Sequence, residues 1–188
     1  MEQLIQWLCA FHPLSPECQD DLRRIIRYRK VRKNEYLLRG GEVCKNIYFI
    51  KKGALRCFYI LKEEQVTDWL FKEGDTVVSI GSFYDQMPGI DFIQAMESCE
   101  VFYISYKELE ALFERHMEFN FVGRVLTNKY LRVWHGQARN MRMLTAEERY
   151  LLLMEQQPEL INRVEVKYLA SYLGMSRETL SRMRGRLN

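Results

Sequence analysis

The side chains of the segment Ser176-Arg-Glu-Thr-Leu-Ser-Arg182, near the end of the chain, have the chemistry needed to read DNA bases. An arginine donates two parallel hydrogen bonds to O6 and N7 of guanine, and a glutamate accepts one from N4 of cytosine. Arg177 and Glu178 are therefore suited to reading one G·C pair each. Arg182, further along, is within reach of a base or a phosphate. We expect these side chains to form a base-reading surface.

Two short helices must present those side chains, and the sequence from Val166 to Asn188 has the pattern of such a pair. Apolar residues recur at helical spacing on both sides of Gly174, which can take the left-handed conformation of a sharp turn. Ser176 is a good N-cap for the second helix. The pattern predicts a helix-turn-helix that enters the major groove. The residues predicted to contact DNA are Ser176, Arg177, Glu178, Thr179, Ser181, Arg182, Arg184 and Arg186, the last two at the backbone.

Positive charge is concentrated in the same region. The whole chain of 188 residues has a formal net charge of only +3, yet residues 163–188 contain six basic and two acidic side chains. A basic patch is the electrostatic footprint of a nucleic-acid surface. A solvated basic helix without a partner is the alternative, and the apolar pattern around Gly174 argues against it.

The segments before this region predict a β-domain followed by helices. Short runs rich in Tyr, Phe, Ile and Val, separated by glycines, extend from Tyr28 to Ile104 and indicate an antiparallel sandwich of the jelly-roll kind. Two short helices are predicted before it, at residues 2–11 and 16–27. A helix from Tyr106 to Arg115 and a long one from Met117 to Met143 follow it. Thr145-Ala-Glu-Glu148 is a capping box that begins the last domain.

The long helix has apolar residues at alternating spacings of three and four, which is the seam of a two-stranded coiled coil. We interpret it as a dimerisation helix. The alternative is a helix packed on its own domain, because further apolar residues widen the face beyond a strict seam. The predicted seam residues are Phe119, Val122, Leu126, Tyr130 and Val133.

The composition is that of a globular protein, with 47% hydrophobic and 28% charged residues. No apolar stretch approaches the ~20 residues of a membrane span, and the N-terminus lacks the basic and apolar regions of a signal peptide. We therefore expect a cytoplasmic protein with no membrane partner. The five cysteines are odd in number and lack a C-x-x-C pair, so we expect neither a disulfide framework nor a metal site.

Two other function classes remain as hypotheses. The first is a β-barrel enzyme of the cupin kind, which would hold a metal with clustered histidines and glutamates. No histidine lies between His12 and His116, so we expect no enzyme of this kind. The second is a ligand-binding or protein-interaction β-module whose DNA-binding domain is vestigial. The intact helix from Ser176 to Arg186 argues against it.

A β-roll, a long helix and a C-terminal helix-turn-helix, in that order, resemble the Crp/Fnr family of bacterial transcription regulators. In that family the recognition helix carries an Arg, a Glu and a second Arg for base contacts, and Arg177, Glu178 and Arg182 match them. Glycine-marked turns in the roll carry the rest of the resemblance: Leu38-Arg-Gly-Gly-Glu42, Tyr48-Phe-Ile-Lys-Lys-Gly53 and Lys72-Glu-Gly-Asp75.

The resemblance implies an α+β fold with three units. These are a cyclic-nucleotide-binding-like β-roll sensor domain over residues 1–115, a dimerisation helix over 116–143, and a winged-helix-like helix-turn-helix domain over 144–188. It also implies a homodimeric, sequence-specific regulator that binds a palindromic operator in double-stranded DNA. RNA polymerase and a small-molecule effector of unknown identity are further implied partners.

The sensor pocket departs from the family's cyclic-AMP pattern. Members that bind cyclic AMP have a Gly-Glu pair for the ribose and an Arg-Ser or Arg-Thr pair for the phosphate. Here Gly81 is followed by Ser82, and no Arg or Lys occurs from Glu73 to Tyr106. We therefore do not expect cyclic AMP to bind in the usual manner, and we assign no cofactor. The pocket holds another ligand, or its own side chains fill it. Its predicted residues are Gly81, Ser82, Phe83, Gly89, Ile90 and Asp91.

Overall fold

The structure is a computed structural model that describes residues 1–187. Its first part contains two helices, eight strands and one short helix among the strands. Five of these elements are α1 (Glu2–Cys9), α2 (Pro16–Ile25), β1 (Arg27–Val31), β2 (Tyr36–Leu38) and β3 (Asn46–Lys52). They are followed by β4 (Leu55–Leu61), β5 (Glu64–Phe71), β6 (Thr76–Val77), α3 (Ile80–Asp85), β7 (Phe92–Ala95) and β8 (Cys99–Ser105).

The second part is helical within the residues that the structure describes. It contains α4 (Tyr106–Arg115), α5 (Met117–Met143), α6 (Ala146–Gln156), α7 (Pro158–Arg163), α8 (Val166–Tyr172) and α9 (Arg177–Leu187). Helices α4 and α6 begin at capping boxes that the sequence supplies. Thr145 accepts a hydrogen bond from the backbone N–H of Glu148 at 3.3 Å, and the Glu148 carboxylate accepts one from the backbone N–H of Thr145 at 2.7 Å. The predicted capping box is therefore confirmed.

Two antiparallel four-stranded sheets form the β-roll, with strand orders β1-β8-β3-β6 and β2-β7-β4-β5. In β3 buried side chains alternate with more exposed ones, as expected for a sheet that covers one side of a core, whereas Leu55 to Phe58 of β4 are all buried. Ile50, Leu55, Ile93 and Val101 are completely buried in that core. The predicted antiparallel roll is confirmed.

The first half of α5 packs on its own roll, so Phe119 and Val122 of the predicted seam are not available to a second copy. Phe119 and Val122 are 4% and 0% exposed and belong to the core of the roll. The hydroxyl of Tyr130 accepts a hydrogen bond from the backbone N–H of Thr76 at 2.6 Å, and Leu126 is partly buried against the same core. Phe119 and Val122 are therefore covered within the chain, whereas Leu126 and Tyr130 are only half-buried and Val133 is 44% exposed.

A glycine allows the close approach of α4 and α5. A Cβ atom at Gly123 would lie 2.7 Å from the ring of Phe113, which itself packs on Phe119 with ring centroids 5.3 Å apart. Exposed apolar side chains on α5 occur elsewhere along the helix. They are Met117, Phe121, Leu131, Val133, Trp134, Met141 and Met143.

The C-terminal helices dock on the roll. Ala54, Leu70 and Met96 of the roll share one hydrophobic cluster with the helices from α6 to α9. At the sheet edge formed by β5, the backbone N–H of Thr67 donates to the hydroxyl of Ser171 in α8 at 2.8 Å, and that hydroxyl donates to the carbonyl of Gln65 at 3.2 Å. Helix α8 therefore covers an edge strand whose backbone groups would otherwise be open.

All five cysteines are free thiols. Within residues 1–187, no helix combines the length and the apolar character needed to cross a membrane.

Candidate nucleic-acid interface and sensor pocket

The turn between α8 and α9 has the backbone geometry that a helix-turn-helix requires. Gly174 has a φ of +65°, in the left-handed region that glycine favours. The backbone N–H of Met175 donates to the carbonyl of Ala170 at 3.0 Å, which closes α8. The Ser176 hydroxyl accepts from the backbone N–H of Thr179 at 3.1 Å and caps α9. The two helices share a buried core that contains Leu169, Ala170, Leu173, Leu180 and Met183.

The solvent side of α9 carries the predicted base-reading side chains. Arg177, Glu178 and Arg182 are all exposed. Among the residues that the structure describes, neither Arg177 nor Arg182 forms an ion pair with a carboxylate. Hydrogen bonds from its own backbone N–H and from the Ser176 hydroxyl lower the pKa of Glu178, so its carboxylate is ionised at neutral pH. An ionised carboxylate is an acceptor only, as cytosine N4 requires.

The remaining predicted contacts divide into two groups. Ser176, Ser181 and Arg186 are exposed beside the base-reading side chains, and Thr179 is half-buried. Arg184 is different, because its Nη2 donates to the carbonyl of Ile161 at 2.9 Å and its Nε is buried. Arg184 therefore has a structural contact within the chain, and its contact with the DNA backbone stays a prediction. Its position four residues after Leu180 places it beside the buried face, a signal that the helical spacing already contained.

The predicted sensor residues include two that belong to the protein's own core. The Ser82 hydroxyl accepts a hydrogen bond from the backbone N–H of Cys44 at 2.9 Å and donates one to the carbonyl of Met87 at 2.6 Å. Phe83 is completely buried and packs edge-to-face on Tyr106, with ring centroids 5.2 Å apart. Both side chains have their partners within the chain.

The other predicted sensor residues lie nearer the surface. Gly81 is exposed, and Ile90 is 72% exposed. Asp91 accepts a hydrogen bond from the Ser79 hydroxyl at 2.5 Å. Gly89 is a close-packing residue, because a Cβ atom there would lie 2.9 Å from the Cβ of Ser82. The six predicted pocket residues are thus divided between the core and the surface.

An ion-paired arginine connects α7 to the roll. Arg163 donates to both carboxylate oxygens of Glu73, at 2.8 and 2.9 Å, and to Glu97 at 2.5 Å. Glu73 also accepts from the backbone N–H of Gly53 at 2.6 Å. The hydrogen bonds from Arg163 lower the pKa of Glu73 to about 2. These groups line a surface cavity of about 500 Å³ between the roll and α7.

A second arginine, which the sequence did not lead us to single out, is buried between the roll and α8. Arg56 in β4 is 1% exposed, and its guanidinium lies between the rings of Phe58 and Tyr168, 3.9 and 3.5 Å from their centroids. Its donors reach Gln94 at 2.7 Å and Gln65 at 2.6 Å, whereas its Nη1 has no hydrogen-bond partner among the described residues. The signal was an arginine within the otherwise apolar run Ala54-Leu-Arg-Cys-Phe-Tyr-Ile60.

Known proteins share both the roll and the arrangement of the whole chain. A sequence profile of the cyclic nucleotide-binding domain matches residues 28–116. The cAMP-activated global transcriptional regulator CRP of Escherichia coli is 23% identical over 160 aligned residues, covering 78% of this chain and 75% of that protein. The Anaerobic regulatory protein of Pasteurella multocida is 26% identical over an alignment of 204 positions, gaps included, covering 97% of this chain and 71% of that protein.

Solved structures have the same fold. FixK2 from Bradyrhizobium japonicum superimposes with a TM-score of 0.74 at 19% identity, covering 87% of this chain and 84% of that one. The c-di-GMP-responsive global regulator CLP from Xanthomonas campestris superimposes with a TM-score of 0.69 at 18% identity, covering 92% and 91%. The chain is thus a cyclic-nucleotide-binding-type roll joined to a helix-turn-helix. The roll matches the cyclic nucleotide-binding domain, and the whole chain is similar in sequence and in fold to transcriptional regulators of the Crp/Fnr type.

Proposed function

We propose that this protein is a homodimeric, sequence-specific DNA-binding transcriptional regulator that acts in the cytoplasm. The observation that carries the proposal is the solvent side of α9, where Arg177, Glu178 and Arg182 are exposed without ion-pair partners among the described residues. Residues 144–188 then form the DNA-binding domain, residues 116–143 the dimerisation helix and residues 1–115 the sensor domain.

Arg177 donates to a guanine and Glu178 accepts from a cytosine in this proposal. Arg182 reaches a further base or a phosphate. Arg186 lies on the exposed side and neutralises a phosphate. Near the start of the helix, phosphate oxygens of the DNA accept hydrogen bonds from the hydroxyls of Ser176, Thr179 and Ser181.

Dimerisation would place two copies of α9 in successive major grooves about 34 Å apart and would make the operator palindromic. Exposed side chains of α5 support this, because Leu131 and Phe121 are 62% and 40% exposed on one side of a long helix. An isolated monomer would leave this apolar surface in water. Leu131 and Phe121 replace the buried Phe119 and Val122 as the proposed contact residues, and Leu126, Tyr130 and Val133 of the predicted seam stay predictions. RNA polymerase would be a further partner of the DNA-bound dimer.

The sensor domain would not respond to cyclic AMP. Ser82 has its hydrogen bonds within the chain, and Phe83 occupies the core. A cyclic phosphate needs a paired cation when it is removed from water, and the segment from Glu73 to Tyr106 supplies none. The effector is therefore a different small molecule, if the domain uses one.

The test is selection of bound duplexes from a random DNA library by the full chain, with and without cyclic AMP. We expect a palindromic motif with two half-sites about one helical turn apart in both selections. A motif that requires cyclic AMP would contradict the sensor proposal. No motif in either selection would contradict the proposal of a ligand-independent base reader.

Dimerisation is tested by Leu131→Glu, which places a charge on the exposed part of α5. We expect this variant to sediment as a monomer and to lose binding to the full palindrome. Leu61→Glu is the matched control, since Leu61 is a similarly exposed leucine in β4, outside α5, and is 55% exposed. If Leu131→Glu leaves the sedimentation coefficient unchanged, the contact on α5 is wrong.

A further inference from the structure

Three side chains with metal-binding chemistry meet where α2 approaches the start of α5. Cys18 lies on α2, His116 at the junction of α4 and α5, and Glu118 in the first turn of α5. The Cys18 Sγ, a ring nitrogen of His116 and a carboxylate oxygen of Glu118 all lie within 4.8 Å of one another. Thiolate, imidazole and carboxylate are the ligands that zinc uses in proteins.

The spacing is close to what one ion needs. Zinc binds nitrogen and oxygen at about 2.0 to 2.2 Å and sulfur at about 2.3 Å, so tetrahedral ligand atoms lie about 3.3 to 3.8 Å apart. The Nδ1 atom of His116 is 3.9 Å from Oε1 of Glu118. Small side-chain rotations would bring the three ligand atoms to bonding distance.

The neighbours of the ligands orient them toward one point. The Nε2 atom of His116 is 3.0 Å from the carboxylate of Asp21, which leaves Nδ1 facing Glu118. Metal-binding histidines almost always use their second nitrogen in this way, and the carboxylate fixes the ring and its tautomer. The Ser15 hydroxyl donates to Oε1 of Glu118 at 2.7 Å and positions the third ligand.

The burial of the three ligands is graded. Cys18 is completely buried, the His116 side chain is 13% exposed, and the Glu118 side chain is 27% exposed. A metal here would have protein on the Cys18 side and solvent on the Glu118 side. Three protein ligands with one position open to water or a small molecule is the arrangement of a reactive or ligand-binding zinc site.

We propose that Cys18, His116 and Glu118 bind one divalent transition-metal ion of the zinc type, oriented by Asp21 and open to an external fourth ligand. Separation along the sequence hid the site, because Cys18 and His116 come together only when α2 packs on the corner between α4 and α5. The ion would connect α2 to the first turn of α5, and its fourth ligand would act directly on the helix that leads to the DNA-binding domain. The proposal does not depend on the proposed function.

Cobalt(II) titration of the full chain, freed of metal by a chelator, tests the site. Cobalt replaces zinc in such sites, and a bound thiolate gives an intense near-ultraviolet charge-transfer band. We expect one equivalent to produce this band and zinc to abolish it by displacement. Cys18→Ala should remove the band, and His116→Gln and Glu118→Gln should each weaken zinc binding by more than about 100-fold. Asp21→Asn should weaken it by about 10- to 100-fold.

Cys9→Ala is the matched control, because Cys9 is a nearby, more accessible thiol on α1. This variant should keep the full band. Zinc should also raise the melting temperature of the parent chain but not that of Glu118→Gln, whose shape is nearly unchanged. The proposal is overturned if the parent chain gives no charge-transfer band, if Cys18→Ala keeps it, or if Cys9→Ala loses it.

Discussion

Helix α9 and the segment from Ser79 to Asp91 differ in whether their polar side chains have partners within the chain. On α9, Arg177 and Arg182 extend into solvent without ion-pair partners among the described residues. In the roll segment, the hydroxyls of Ser79 and Ser82 already donate within the chain, to Asp91 and to the carbonyl of Met87. One region therefore has hydrogen-bonding capacity available for a partner, whereas the other has used its capacity in folding.

Under the proposed function, this difference separates a region that can bind a partner from one that cannot. Helix α9 is the proposed DNA-reading surface, and the segment from Ser79 to Asp91 lies in the roll that matches the cyclic nucleotide-binding domain. The side chains make this difference, and the fold does not. The Ser82 hydroxyl already forms its hydrogen bonds within the chain. A ligand that bonded to it would have to replace those bonds, so little binding free energy would be gained.

Phe83 gives the most direct test of whether the roll segment is packed core or a ligand pocket. Phe83→Ala removes a completely buried ring from the core of the roll, and such changes cost about 3 to 5 kcal/mol of unfolding free energy. We expect a loss of this size in urea denaturation. If Phe83 instead lines a ligand pocket, the loss will be small and the variant will acquire or lose affinity for a small molecule.

Arg177→Ala tests whether the exposed side of α9 reads bases. We expect binding to the selected operator to fall by about 1 to 3 kcal/mol, roughly 5- to 150-fold, with relaxed preference at one G·C pair. Binding to random DNA should change little. Fluorescence anisotropy on both duplexes gives the two affinities, and equal losses on both would show that Arg177 contacts only the backbone.

Arg184 and Arg186 lie on the same helix but differ in exposure. Their substitution tests whether the half-buried arginine stabilises the fold and the exposed one contacts phosphate. Arg184→Ala removes the hydrogen bond to the Ile161 carbonyl, so we expect a stability loss of about 1 kcal/mol and an unchanged ratio of operator to random binding. Arg186→Ala should leave the melting temperature unchanged and reduce the salt dependence of binding by about one phosphate contact. A reversal of these two outcomes would return Arg184 to the DNA surface.

The smallest expected effect concerns the acid range. Arg163 depresses the pKa of Glu73 from an ordinary value near 4.5 to about 2, so this pair stabilises the folded state above pH 4.5. That stabilisation is lost as the pH falls from about 4.5 toward 2, and it is reduced by the partial exposure of Glu73 to solvent. Arg163→Gln should therefore lower stability at pH 6 and make little difference near pH 2, as measured by thermal unfolding across that range.

Local signals in the sequence predicted the elements well. The bounds of α5 agree with the predicted helix from Met117 to Met143, and Gly174 and Ser176 predicted the turn and the start of α9. These features depend on backbone preferences and capping groups that act within a few residues.

Features that depend on distant contacts could not be predicted in the same way. The spacing of Phe119 and Val122 showed that one face of α5 must be covered, but spacing does not tell whether the cover is the chain's own roll or a second copy. Burial of Ser82 and Phe83 likewise follows from the packing of the roll. Arg184 is an exception, since its spacing from Leu180 was visible in the sequence.

The burial of Arg56 between Phe58 and Tyr168 has a consequence for how firmly α8 can be held. The guanidinium has exchanged water for two glutamine side-chain carbonyls and two aromatic faces, and no carboxylate of residues 1–187 is within hydrogen-bonding distance of it. A charge buried in this way loses hydration free energy that its contacts only partly replace. If α8 moves away with Tyr168, one face of the guanidinium regains its hydration. This regained hydration offsets part of the free energy lost when α8 separates from the roll. The buried arginine therefore limits how strongly the helix-turn-helix is held against the roll.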